Sequence, residues 1–478
     1  MNQLLEETIT YTKERCYALE QSINNIPIEE YPTDGPKRLL AFIREALKSI
    51  NEYLGHAEIF DLLKPVDAET RIRRYSCVIP SLYNLMEFIE GANIDDAPSA
   101  LVQPFKRLIS KYFSDTEIII RATSEYNFTF YEIASEIKDL FKEAPFSNIC
   151  DQLPKKLIVI SFPRVEKENV LLQSIVAHEL GHVFCRESEF DLDKKIVKDI
   201  FIKREDVDVL VKDFSKFIEG SENQSSEDEL ITTSPPTELE IRNLISKDIN
   251  SKMKSWVKEL CSDALGTCLF GPAFFFSFLD LTISVQDLDM ETFSHPPPRI
   301  RIKFITTVLD SLDFKTCFVG KLPKSYALFC QWKDTGDKDC RGITPPSQVV
   351  LNAILKIIDK MVGYSKECLE LKNPSWIYTG DRFMGDLVDL KDRLVNIVPP
   401  NETLIIKESK KTSRVAEIIS ILNIGWTVYK DYFDEFSNNL KSANPVLDEH
   451  YCRAKLNKIL LKALEFSEAQ MRWQEIQL

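Results

Sequence analysis

The stretch from Val170 to Phe184 constrains this chain more than any other. Its apolar residues, Val170, Leu171, Leu172, Ile175, Val176, Leu180, Val183 and Phe184, call for a deeply buried helix, yet it also carries His178, Glu179 and His182. Residues four apart lie one turn apart on the same helix face, so both imidazoles point to one spot. Buried polar groups are costly unless something satisfies them. Two readings meet that demand. In the plain one, core hydrogen bonds satisfy both histidines. In the other, the two imidazoles grip one zinc ion, and Glu179 reaches a water on the metal, whose pKa zinc lowers to about 7. Gly181 sits inside the motif despite a helix cost of roughly 1 kcal/mol, which suits close approach by another element.

A zinc site of this kind needs a third protein ligand and an open position. Downstream, Trp256 to Gly266 reads as a strongly apolar helix that carries Glu259 and Asp263, again four apart on one face. Two like charges on a mostly buried helix need compensation. A zinc ion bound by Glu259, with a ligating imidazole donating to Asp263, would compensate both. Otherwise the two carboxylates face solvent or pair with lysines. Further on stands Ser294-His295-Pro296-Pro297-Pro298-Arg299-Ile300-Arg301-Ile302. A histidine fixed by prolines at a helix start can donate to the oxyanion formed in peptide hydrolysis, a contact worth roughly 3–4 kcal/mol. Read alone, it is an ordinary helix-start turn.

The rest of the chain predicts a mostly α (α+β) protein: a site-bearing core with a small sheet, flanked by helical regions. Glycine is scarce, with 14 in 478 residues, which disfavours a turn-dense β fold. Three regions are expected: helical from 1 to 150, the site-bearing core from 151 to 305, and helical from 306 to 478. Lys156 to Phe162 reads as a strand ended by Pro163. The polar, acidic stretch from about 219 to 237 reads as a loop or disordered insertion. Helices are expected over Leu239–Leu269, Ser413–Phe433 and Leu456–Trp473. The apolar run Ala264–Leu279 is interrupted by Gly271-Pro272 and is too short to span a bilayer comfortably, so it reads as a buried helix or helix pair. A net charge of -14 argues against nucleic acid as a partner. Eleven cysteines, an odd number with no CxxC pair, and a start without a signal-peptide pattern suggest free thiols in a reducing cytoplasm.

Together the three segments resemble the gluzincin metallopeptidases, which combine HExxH with a downstream ExxxD. They are most similar to the branch of CaaX prenyl proteases and their soluble relatives, which adds a later His-Pro followed by Arg-Ile. The resemblance covers about residues 155 to 305 and implies a zincin-like catalytic core there. It implies one Zn2+ held by His178, His182 and Glu259, with Glu179 as general base. It further implies Asp263 supporting a ligand and His295 near the scissile bond. Counted from His295, the Arg-Ile spacing falls on Arg301-Ile302, with Arg299-Ile300 as a rival phase. It also implies that the strand Leu157–Phe162 is an edge strand that takes extended substrate by β-augmentation. With no membrane anchor apparent, prenylated substrates are not carried over. The expected function is a zinc endopeptidase acting on a cytosolic protein or peptide. It would have no membrane partner, and a regulatory partner or the acidic insertion could hold it in check. A catalytically silent zinc scaffold is the alternative.

Overall fold

The computed structural model describes residues 3–27, 30–55, 65–97, 99–141, 149–186, 191–222, 236–285, 287–334, 342–407, 410–443 and 445–477. These residues are mostly helical, with two small sheets. The chain divides into two units. The first comprises Met1–Val170, Val415–Ile418 and Asn457–Leu478. The second comprises Leu171–Arg414 and Ile419–Leu456.

The first unit packs helices α1 (Gln3–Asn24), α2 (Asp34–Gly55), α3 (Pro65–Met86), α4 (Ser99–Tyr112) and α5 (Ala134–Phe141) with a three-stranded sheet. The sheet contains β1 (Thr116–Thr123), β2 (Thr129–Glu132) and β3 (Lys156–Pro163), in the order β1-β3-β2. β1 runs parallel to β3, with Ile118 opposite Ile158; β2 runs antiparallel to it, with Phe130 opposite Ile160. Leu39, Phe42, Ile43 and Leu47 of α2 join Leu157 and Val159 in the core. The break at residues 32–36 becomes the start of α2. Gly35 is needed there because a Cβ would meet the Ile118 carbonyl oxygen at 2.2 Å.

Two expectations change here. The strand at 157–162 exists, but it is the central strand and not an edge. Its ladder groups are taken by β1 and β2, so a substrate chain cannot add to it by β-augmentation. Second, the sheet crosses the expected boundary at residue 150, and β1 and β2 lie within the stretch read as helical. Burial explains the misreading: Ile118, Ile119 and Ile120 are all buried, and a strand buried on both faces loses the alternation that marks it in sequence.

The second unit is built around α9 (Glu238–Phe270), a helix of 33 residues. It starts at a capping box, in which the Thr237 hydroxyl accepts from the Glu240 amide and Glu240 accepts from the Thr237 amide. From Glu259 to Phe270 every residue is buried. The helix stops at Gly271, whose φ of 59° turns the chain into α10 (Pro272–Val285). Asn423 secures the joint, accepting from the Ala273 amide and donating to the Phe270 carbonyl. The apolar run Ala264–Leu279 is therefore a broken helix pair, as expected, and no helix among the described residues is long and apolar enough to cross a membrane.

Around α9 and α10 stand α6 (Val176–Arg186), α7 (Leu192–Asp199), α8 (Arg204–Glu222) and α11 (Pro298–Ser311). They are followed by α12 (Phe314–Phe318), α13 (Pro323–Lys333), α14 (Pro345–Leu355), α15 (Ile358–Lys372) and α16 (Gly380–Val395). A two-stranded sheet, β4 (Glu402–Lys407) and β5 (Lys410–Val415), precedes α17 (Ile418–Asp431), α18 (Phe433–Ala443) and α19 (Glu449–Ile476), of which the part from Asn457 onward belongs to the first unit. The helix expected from Ser413 thus begins at Ile418, and Phe433 opens a separate helix. Of the acidic stretch, 219–222 closes α8, while 223–235 lies outside the described residues.

Candidate metal centre

His178, Glu179 and His182 sit on α6, where their four-residue spacing puts both imidazoles on one face. Glu259 and Asp263 sit on α9 and Arg301 on α11, while His295 lies in the segment leading into α11. α6 and α9 cross with their backbones in contact, and two glycines permit it. A Cβ on Gly181 would meet the Ser262 carbonyl oxygen at 2.4 Å, and one on Gly266 would meet Ala177 backbone atoms at 2.9 Å. That crossing carries Glu259 to the two histidines, 77 and 81 residues away in sequence. The ligand atoms of His178, His182 and Glu259 all lie within 4.8 Å of one another, a group able to hold a metal ion.

The hydrogen bonds fix which nitrogens face that point. His178 Nδ1 lies 2.9 Å from Asp263 Oδ1, so it carries the hydrogen and turns Nε2 to the centre. The Ser262 hydroxyl donates to the Lys258 carbonyl at 3.0 Å, which uses its only hydrogen. It must therefore accept from His182 Nδ1, 2.7 Å away, and His182 Nε2 is left bare. The two Nε2 atoms stand 3.1 Å apart. Two bare nitrogens at that distance repel, so a cation belongs between or beside them. Glu259 Oε2 lies 3.2 Å from His178 Nε2 and 3.3 Å from His295 Nε2, yet no hydrogen bond to this buried oxygen is well aligned. Buried nitrogens of opposing imidazoles and an unsatisfied carboxylate oxygen match the donor set of a divalent metal such as zinc.

No protein-family model, curated protein or solved structure matches this chain.

Asp263 is fully buried and doubly bound by Arg301, whose Nε and Nη2 donate to its two oxygens at 2.8 Å each. Burial opposes its ionisation, but the Arg301 charge outweighs this and holds its carboxyl below the usual range. The rivalry between the two arginines is resolved by position: Arg301 meets Asp263, whereas Arg299 pairs with Asp289. Phe278 packs beneath the Arg301 guanidinium at 4.6 Å, and Phe274 stacks parallel to His178.

Charge at the centre is finely balanced. Burial disfavours a cation on His178, but Asp263 overrides it and pushes the imidazole up to about 10. Without metal, a proton on His178 therefore occupies the cation's role. Burial and the neighbouring His178 charge push His182 well down, so it stays neutral. Burial also works against ionised Glu259, yet the close approach of His178 and His295 holds it well below the carboxylate range. Glu179 goes the other way, with burial raising its carboxyl despite the His178 charge.

His295 is the most open member, its side chain 45% exposed. Its Nδ1 faces the hydroxyls of Ser294 at 2.8 Å and Thr292 at 3.2 Å. A hydroxyl donating to Nδ1 leaves the hydrogen on Nε2, which points toward Glu259. Sequence reasoning missed Ser262 and Thr292. Ser262 had a readable signal, since it lies three residues after Glu259 and so near the same helix face. Thr292 had none, because its role depends on how the segment before α11 folds back.

Proposed function

We propose that this chain is a zinc-dependent endopeptidase of the gluzincin type, acting on a protein or peptide substrate. The observation that carries the reading is the meeting of three separately encoded segments, HExxH, ExxxD and the His-Pro segment with Arg301, at one point of the second unit. Nothing in a merely structural metal site calls for a glutamate of raised pKa and a half-exposed histidine beside the ligands.

His178 Nε2, His182 Nε2 and the Glu259 carboxylate would hold the metal. When bound, zinc supplies a Lewis acid that polarises a carbonyl and brings the pKa of a water near neutrality. Asp263 and Ser262 keep both imidazoles turned inward. Arg301 keeps Asp263 ionised. Glu179 lies beside the first ligand and within the fields of His178, Glu259, Arg301 and His295. A raised pKa suits it to take a proton from the attacking water and return it to the departing amine. His295 Nε2–H donates to the oxygen of the scissile carbonyl as negative charge develops there, a contact worth roughly 3–4 kcal/mol.

The test pairs metal analysis with a peptide-library digest. The wild type should hold one zinc per chain and cleave internal peptide bonds. Glu179→Gln should keep the zinc and lose about 10²–10⁴-fold in rate. Full activity in that variant would refute the mechanism, and a wild type holding no metal would favour a binding scaffold.

A further inference from the structure

His295 has no helix or strand to hold it, yet its Nε2 stands 3.3 Å from a metal-site carboxylate. Downstream, the prolines at 296–298 lead straight into α11. Upstream, the anchor is Glu291, whose side chain is only 8% exposed. Its Oε1 accepts from Lys252 Nζ at 3.2 Å, from the Ser347 hydroxyl at 2.7 Å and from the Thr344 hydroxyl at 2.8 Å. Lys252 in turn donates to Ser347 at 2.8 Å, and its side chain is 10% exposed. Asp248, at 3.8 Å and more exposed, is a weaker second partner. Residue 290 bridges to Gly342, where a Cβ would meet the Asp289 carbonyl oxygen at 3.0 Å. From Glu291 to His295 the chain closes into a turn: the Thr292 amide donates to the His295 carbonyl at 3.1 Å, and the His295 amide donates to the Thr292 hydroxyl at 3.0 Å.

Lys252 and Glu259 are both on α9, seven residues apart. That is two turns, one face and about 10 Å of rise. One rigid helix thus delivers a metal ligand and, two turns earlier, the anchor for the segment that carries His295. We propose that Lys252 and Glu291 are positioning residues: their buried ion pair is a strut that sets His295 over Glu259. The catalytic consequence rests on the peptidase reading; the placement of His295 does not.

The chain has five histidines, so their ring signals can be assigned by NMR with labelled histidine. Lys252→Met should shift or broaden the His295 ring signal and leave those of His178 and His182 in place. Lys252→Arg should restore it. On peptide substrate, Lys252→Met should lower kcat about tenfold with KM and zinc content unchanged, and should lower it no further in a His295→Ala background. If Lys252→Met does not fold by circular dichroism, Glu291→Gln, which keeps the shape and removes the charge, is read the same way. An unmoved His295 signal overturns the strut, as does an equal loss of kcat in the His295→Ala background. A wild type without peptidase activity refutes the functional reading alone, because the ring signals still decide the strut.

Discussion

The two sides of the candidate metal centre are built differently. On the helix side, His178, His182 and Glu259 come from α6 and α9, whose backbones touch at Gly181 and Gly266. Each imidazole there has a dedicated acceptor for its outer nitrogen, Asp263 for one and Ser262 for the other. On the loop side, His295 stands on an irregular segment, is nearly half exposed, and is steadied by hydroxyls and a strut set further back. The helix side spends rigidity and burial on holding charge in place. The loop side leaves His295 open to solvent, where the proposed reaction needs its donor. Metal affinity and turnover should therefore be separable, with helix-side changes lowering metal content and loop-side changes lowering rate on loaded protein.

The change expected to act most strongly is Asp263→Asn. Asparagine keeps the shape but removes the nearest charge that offsets buried Arg301, leaving only Glu259 at 3.8 Å and the field of Glu179, and breaking a buried pair this way costs about 3–5 kcal/mol. It also turns one of the two accepting oxygens into a donating NH2, so the His178 Nδ1–H and Arg301 compete for the one oxygen left, and such a loss of ligand support typically costs about 10–100-fold in metal affinity. Urea unfolding of the metal-free protein and a competitive zinc titration measure the two effects. If the titration shows native affinity in Asp263→Asn, the helix side is not the rigid holder described above.

The same contrast explains what could be read from the residues alone. Polar residues four apart on apolar helices are legible because helix periodicity dictates the face they share. His178, His182, Glu259 and Asp263 were found that way, and Gly181 signalled the crossing. Ser262 was legible only in part, because serine in a helix interior has many ordinary reasons to be there. The Lys252–Glu291 pair was not legible, since its partners come from three segments whose meeting depends on the tertiary fold. In the first unit the strand 156–163 was visible as a β-branched run. Its central place was not, because that depends on β1, whose buried run Ile118 to Ile120 carries no clean alternation, and on β2, which has only four residues. The helical character of most of the chain was legible throughout.

A second test uses pH, and its sign follows from the raised pKa of His178. In the metal-free protein this imidazole keeps its proton from its ordinary range near 6.5 up to about 10. Its contribution to stability is fully present below 6.5 and is lost as pH rises toward 10, so the metal-free Tm should fall by several degrees across that window. Zinc must displace the proton. Apparent affinity should therefore rise about tenfold per pH unit over the same window, with about one proton released on binding. Calorimetry in buffers of different ionisation enthalpy counts that proton. A count near zero at pH 7.5 would mean that no proton takes the metal's role on the helix side.

Ser262→Ala should have the smallest effect and gives the finest discrimination. The hydroxyl does one job at the centre, accepting from His182 Nδ1 while its own hydrogen goes to the Lys258 carbonyl. Alanine fits the same space and leaves one imidazole nitrogen without its partner, a loss of roughly 1 kcal/mol in stability. The hydrogen on His182 is then free to move to Nε2, where it blocks the metal, so zinc affinity should drop about tenfold. Once zinc is supplied in excess, kcat should return to the wild-type value, because neither Glu179 nor His295 depends on Ser262. The loop-side variant Lys252→Met should show the reverse pattern, with native affinity and a lower kcat that excess zinc does not rescue. If kcat stays low in zinc-saturated Ser262→Ala, the two sides are coupled through α9, and the separation of holding from reacting does not apply to this centre.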